Sequence, residues 1–125
     1  MSQDIVADAL NQIMNAKRVE KKEIHIKRSS KFLVSLLESM KKKGYIDYSV
    51  AEGEKGVNVK IIKLNECKAI KPRRFTGFDD IEKYLRRYLP SRKFGHLLIS
   101  TNKGLIDQHE AIENKIGGAL IAYIY

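Results

Sequence analysis

Cysteine is almost missing from this chain: Cys67 is the only one in 125 residues. A lone thiol closes no internal disulfide and has no second cysteine with which to share a structural zinc. It reads as a small buried hydrophobe. Histidine is nearly as scarce. His25, His96 and His109 never fall three or four residues apart, and "HEAIE" is not the HExxH pattern, so no metal is expected. The phosphate-cradling loops are absent too: there is no GxxxxGK[ST], and no GxGxxG follows a strand. No cofactor or small-molecule substrate is therefore expected. Long apolar runs are also lacking, and none approaches a membrane-spanning length. The opening, MSQDIVADAL, is acidic and has no basic segment leading into an apolar one. It does not read as a secretory signal, and the expected location is cytoplasmic, away from membranes.

Catalysis finds little support. Ser100 lies in "LLISTNKG", without the GxSxG elbow that exposes a nucleophile, and the adjacent Thr101 dilutes the case. An RNA-processing enzyme built on Ser100 and His109 needs a positioned base, and the sequence does not show His109 or His96 beside the serine. The pair Asp79-Asp80 stands at a helix start, where carboxylates serve as caps. The expectation is a protein that binds rather than one that catalyses.

Positive charge is what the chain has in excess. Twenty-four Lys and Arg face fifteen Asp and Glu, giving +9 and a pI near 9.7. The excess is distributed: residues 1–64 carry +5 and residues 65–125 carry +4. A basic tail on a neutral domain would concentrate it. Both halves attract a polyanion, which points to nucleic acid, with a solvated basic surface that only aids solubility as the other reading of the charge. For the chain as a whole RNA is the leading target and a basic DNA-binding module the runner-up.

Periodicity supplies the frame. Val6, Leu10, Ile13 and Met14 recur at helical spacing over residues 3–16. Ile24 and Ile26 alternate with polar residues as a short strand. Ser29 or Ser30 offers an N-cap for a helix striped by Phe32, Leu33, Leu36, Leu37 and Met40 and stopped by Gly44. Residues 45–50 and 57–64 read as strands joined by "AEGEKG", with Gly53 and Gly56 free to take positive φ. Composition then changes, and a boundary is placed at about residue 66. Cys67, Ala69 and Ile70 give a short strand, and "FDDIEKYLRRYLP" a helix capped by Asp79 or Asp80. "GHLLIS" is a buried strand. Residues 107–116 form a short helix with Asp107 as N-cap, ended by Gly117-Gly118, and "ALIAYIY" is a last strand. The expected fold class is α/β of the α+β type. Residues 1–65 make an α-β-α-β-β subdomain, and residues 66–125 a mostly β subdomain with short helices.

The stretch "STNKG", residues 100–104, ends a buried strand. Ser, Thr, Asn and Gly are all turn formers, so a plain turn is one reading. A binding loop is the other. Ser100 and Thr101 offer hydroxyls, Asn102 an amide and Lys103 a charge, while Gly104 lets the backbone approach closely. Short donor–acceptor groups suit sugar edges and 2′-hydroxyls. Nearby cations favour the binding reading: Arg86, Arg87, Arg92, Lys93 and Lys103 occur with no acid among them. A second basic cluster spans Lys17 to Lys31.

"GHLLISTNKGLIDQHEAI" also resembles the signature of the universal small-subunit ribosomal protein family numbered eight. The pattern falls on Gly95, Leu98-Ile99, Ser100-Thr101, Gly104, Leu105-Ile106 and Ala111. "DIVADALNQIMNA" resembles that family's first helix, "SSKFLVSLLESMKKKGYI" its second and "IGGALIAYIY" its last strand. The resemblance implies a two-part α/β protein without enzymatic activity. It implies binding to a helical region in the central domain of small-subunit rRNA early in assembly, beside neighbouring small-subunit ribosomal proteins. Carried over, Ser100, Thr101, Asn102, Lys103 and Gly104 form the principal RNA loop, with Ser29, Ser30 and Lys31 a second contact and Arg74 a further basic one. Pro72 runs directly into Arg73-Arg74-Phe75 where bacterial members have a Pro-Gly turn, and Ala119 stands where they often carry an acid. The segment from Thr76 to Arg92 is also longer. These features resemble archaeal or eukaryotic members. Phe75 reads equally as a base-stacking aromatic or as a core residue beside a turn.

Overall fold

The computed structural model describes residues 5–27, 30–50, 56–71, 74–91 and 94–125. The chain divides into two compact units, Met1–Leu64 and Asn65–Tyr125. The mixed α+β class expected from the periodicity is what is found: among the described residues there are four α-helices and two antiparallel sheets.

In the first unit, helix α1 (Ile5–Arg18) is followed by strand β1 (Glu23–Ile26), helix α2 (Lys31–Lys42), and strands β2 (Ile46–Ser49) and β3 (Val57–Ile61). Strand β3 lies in the middle, in the order β1-β3-β2. The period-2 pattern decides the faces. Ile26 pairs with Val57, and Val59 pairs with Ile24 on one side and Tyr48 on the other, on the face both helices cover. His25, Asn58 and Ser49 align on the other side, with His25 Nδ1 2.7 Å from Asn58 Oδ1. Leu10 and Ile13 from α1, and Leu33, Leu36, Leu37 and Met40 from α2, are fully buried. The α2 stripe therefore falls as its spacing predicts, except that Phe32 is half-buried at the rim. Ser30 caps α2, its oxygen accepting from the Leu33 N–H at 3.1 Å. Gly53 lies outside the described residues. Gly56 takes φ +98°, and a Cβ there would meet the Ile26 carbonyl at 2.1 Å.

The second unit contains β4 (Cys67–Ala69), β5 (Phe75–Thr76), α3 (Ile81–Tyr88), β6 (His96–Thr101), β7 (Gly104–Ile106), α4 (Gln108–Asn114) and β8 (Gly118–Ile124). Strands β4 and β5 pair in succession along one edge of β8; its other edge pairs with β6, and β7 pairs with the far edge of β6. Ile81 and Leu85 from α3, and Leu89 just after it, pack with Leu97, Ile99, Leu120 and Ala111 in a core rimmed by Tyr84, Tyr88, Tyr123 and Tyr125. Cys67 is buried, and burial, with the Glu66 charge as a second cause, pushes its thiol up to about 12.

Several local expectations are corrected. Asp79 and Asp80 do not begin α3 as side-chain caps; they lie in a 3-10 turn, Phe78–Asp80, and Asp80 makes no capping hydrogen bond. Gly117-Gly118 does not end α4, because the chain already turns at Lys115, and Gly118 begins β8. The segments Gly104–Ile106 and Phe75–Thr76 are strands that alternation was too short to reveal.

Candidate nucleic-acid interface

"STNKG" is the tip of a β-hairpin. Thr101 pairs with Gly104, leaving Asn102 and Lys103 as a two-residue turn. The positive φ of +106° falls on Gly104, where nothing crowds a Cβ, so backbone conformation alone favours glycine there. Thr101 locks the turn. Its hydroxyl donates to the Gly104 carbonyl at 2.9 Å and accepts from the Lys103 N–H at 3.1 Å. The sequence treats the two hydroxyls as equals, but their surroundings separate them. Thr101 has its proton committed inside the hairpin. Ser100, among the described residues, makes no side-chain hydrogen bond and keeps both donor and acceptor capacity.

The hairpin stands on a stiff base. Asp107 caps α4 by accepting from the Glu110 N–H at 3.0 Å, as its position before an apolar-periodic segment predicts. The other Asp107 oxygen lies 3.3 Å from His96 Nδ1 on β6. Gln108, almost fully buried, accepts from the Leu97 N–H at 2.9 Å and donates to the Gly95 carbonyl at 3.1 Å. A buried amide satisfied at both ends ties the helix to the start of β6. No sequence pattern marks Gln108 for this work.

Ser100 pairs with Leu105 on one side and with Ala119 on the other, and Ala119 pairs with Phe75. Directly opposed residues share a sheet face, so Phe75, Ala119 and Ser100 form one row across three strands. Phe75 is 83% exposed, which removes the core reading of this residue. It lines an open groove with Ser100, Thr101, Asn102, Ile116 and Ala119. Gly117 and Gly118 form the floor, and both approach backbone closely. A Cβ on Gly117 would meet the Thr76 carbonyl, and one on Gly118 the Ser100 carbonyl, each at 2.1 Å. Asn102, Lys103 and Arg74 are exposed, Arg74 immediately before Phe75.

Of the residues singled out from sequence, Ser100, Thr101, Asn102, Lys103, Gly104 and Arg74 thus gather about one groove in the second unit. Ser30 and Lys31 sit in the first unit at the start of α2, in a shallow apolar depression with Val34 and Val50. Ser29 lies outside the described residues. The sequence left Phe75 undecided between stacking and core, gave Ala119 no binding role, and marked Gly117 and Gly118 only as a helix stop. Phe75 had a signal, an aromatic among arginines, but its exposure depends on pairing with a strand more than 40 residues away. Among the described residues no acidic, histidine or cysteine cluster is suited to hold a metal ion.

Comparison with known proteins follows the same path. The profile of a protein family described as ribosomal protein S8 matches residues 4–125. The small ribosomal subunit protein uS8 of Nanoarchaeum equitans is 43% identical over 132 aligned positions, covering all of both chains. That of Methanococcoides burtonii is 41% identical, over 98% of this chain and 97% of its own. The Archaeoglobus fulgidus protein of the same name is 39% identical over the whole of both.

Proposed function

The chain belongs to the ribosomal protein S8 family, and from that premise we propose how it engages RNA. As a member it is a non-enzymatic component of the small ribosomal subunit in the cytoplasm, binding rRNA and acting in assembly. Its proposed target is a helical region in the central domain of small-subunit rRNA, engaged early in assembly, with neighbouring small-subunit proteins as further partners.

The observation that carries the reading is the row Phe75–Ala119–Ser100 beside the Asn102–Lys103 tip. An exposed ring on a β-strand offers a face on which an unpaired base stacks. Ala119, small and next in the row, leaves room for a sugar to come close. The uncommitted Ser100 hydroxyl and the Asn102 amide read base edges and 2′-hydroxyls. Lys103 and Arg74 pair with phosphates and supply affinity and salt dependence. Thr101 and Gly104 act by holding the tip in shape. The sheet fixes these groups beforehand, so little ordering entropy opposes binding. At the second contact Ser30 accepts from Leu33, which leaves its hydroxyl proton available to RNA beside Lys31.

Footprinting on a full-length archaeal 16S rRNA transcript tests this. Protections should fall on one helical region of the central domain. Phe75→Ala should weaken binding about tenfold, in line with the loss of one stacked base, and Ser100→Ala should reduce the preference over a random-sequence hairpin. Equal affinity for the transcript, a random hairpin and duplex DNA would overturn the reading in favour of a basic, non-selective binder.

A further inference from the structure

Lys115 sits in the left-handed helical region, with φ +56° and ψ +44°. Helices commonly end on glycine at this position, since a Cβ is disfavoured there. The hydrogen bonds explain why the conformation is required. The Lys115 N–H donates to the Ile112 carbonyl at 3.2 Å, and the Ile116 N–H reaches back to Ala111 at 3.0 Å. These two bonds close the end of α4 as a Schellman motif, with Lys115 as the turning residue. The closure demands a left-handed residue and is indifferent to a charged side chain. The glycines at 117 and 118 cannot take over the turn, because each is fixed by its close approach to a neighbouring strand's carbonyl.

The chain therefore keeps a cation where glycine fits the backbone better, and strain of this kind points to use of the side chain. Its position says what use. Lys115 is exposed and immediately precedes Ile116, a wall of the Phe75–Ser100 groove. Among the described residues no carboxylate forms an ion pair with it. With Arg74 before Phe75 and Lys103 after Asn102, it makes a third exposed cation, each adjacent in sequence to a residue lining the groove. Phosphates spaced along a folded RNA strand suit cations distributed around a stacking surface.

We propose that Lys115 is a phosphate-binding residue of this groove, held at a strained helix end for its charge. The inference rests on the rRNA-binding reading of the groove and adds a residue to it. The test compares Lys115→Gly, Lys115→Asn and Lys115→Arg by thermal melting, and by binding to the full-length archaeal 16S rRNA transcript across a potassium chloride series. Lys115→Gly should raise Tm by roughly 3 °C, through relief of backbone strain, while weakening RNA binding about fivefold. The slope of log affinity against log salt should fall by about one unit. Lys115→Asn tolerates the left-handed region and lacks the charge, so it should bind like the glycine variant. Lys115→Arg should bind like the parent.

A Tm that fails to rise in Lys115→Gly overturns the claim of strain. Unchanged affinity and salt slope in the glycine and asparagine variants overturn the binding role. Phe75→Ala and Ser100→Ala run alongside. If they weaken binding while the Lys115 variants do not, only this inference fails. If none of the variants weakens binding, the groove itself is not the RNA site.

Discussion

Gly118 lies against Ser100 with no space for a side chain: a Cβ on the glycine would stand 2.1 Å from the Ser100 carbonyl oxygen. The atom in the way is backbone in a paired strand and cannot swing aside like a side-chain end. Gly118→Ala must therefore push β6 and β8 apart at the point where Ser100 enters the groove. Overpacking of this kind costs about 1–3 kcal/mol, and this site is at the rigid end. The expected result is a loss of about 3 kcal/mol in denaturant melts, with RNA affinity falling alongside. An alanine variant as stable as the parent would mean that the strands yield easily, and the groove floor would then not be fixed.

Thr101 makes a separable prediction. Its hydroxyl joins Gly104 to Lys103 across the hairpin tip, so its role is to shape the turn. Thr101→Ser keeps both bonds and should behave as the parent. Thr101→Val keeps the volume and loses the bonds, at about 1 kcal/mol for exposed hydrogen bonds. Ser100→Ala removes a hydroxyl that braces nothing among the described residues, and should leave stability within about 0.5 kcal/mol of the parent. The two positions should thus split, Thr101→Val lowering stability and binding together, Ser100→Ala lowering RNA preference alone. Melting and RNA titration of both variants check the split.

This contrast marks where the sequence was legible and where it was not. Most local signals held, although two equally local ones, the Asp79-Asp80 cap and the Gly117-Gly118 stop, did not. The Ser30 cap, the Leu33–Met40 stripe, the Val57–Val59 alternation and the Asp107 cap each rest on residues within one turn or a few positions, and each is found. The fold class followed from their order. Features that depend on a distant partner were not readable. Leu105-Ile106 is too short to show alternation, and it is a strand because β6 folds back onto it. Phe75 is exposed because β5 pairs with the end of β8. The work of Gly117 and Gly118 appears only when Thr76 and Ser100 are brought beside them. The site residues were grouped by composition, but the division between those that shape the hairpin and those left free needed the hydrogen bonds.

The last prediction concerns alkaline pH. Tyr125 donates its hydroxyl to Glu66, and this bond, with burial and the neighbouring charges behind it, pushes the phenol from 10.0 up to about 12. Burial first, and the Glu66 charge second, push the Cys67 thiol from 9.0 up to about 12. Both groups are neutral when protonated and both hold their protons more tightly folded than unfolded. Their contribution is complete below the unfolded values and falls as pH rises toward about 12, because the unfolded chain then binds fewer protons than the folded one. Guanidinium melts should show a constant midpoint at neutral pH and a progressive fall from about pH 9 upward. Cys67→Ala should flatten the lower part of that fall and Tyr125→Phe the upper part. The same burial predicts that Cys67 resists thiol reagents near neutral pH until the chain is unfolded. Rapid labelling of the native protein, or a midpoint independent of pH across this window, would show that these protons are not held by the fold.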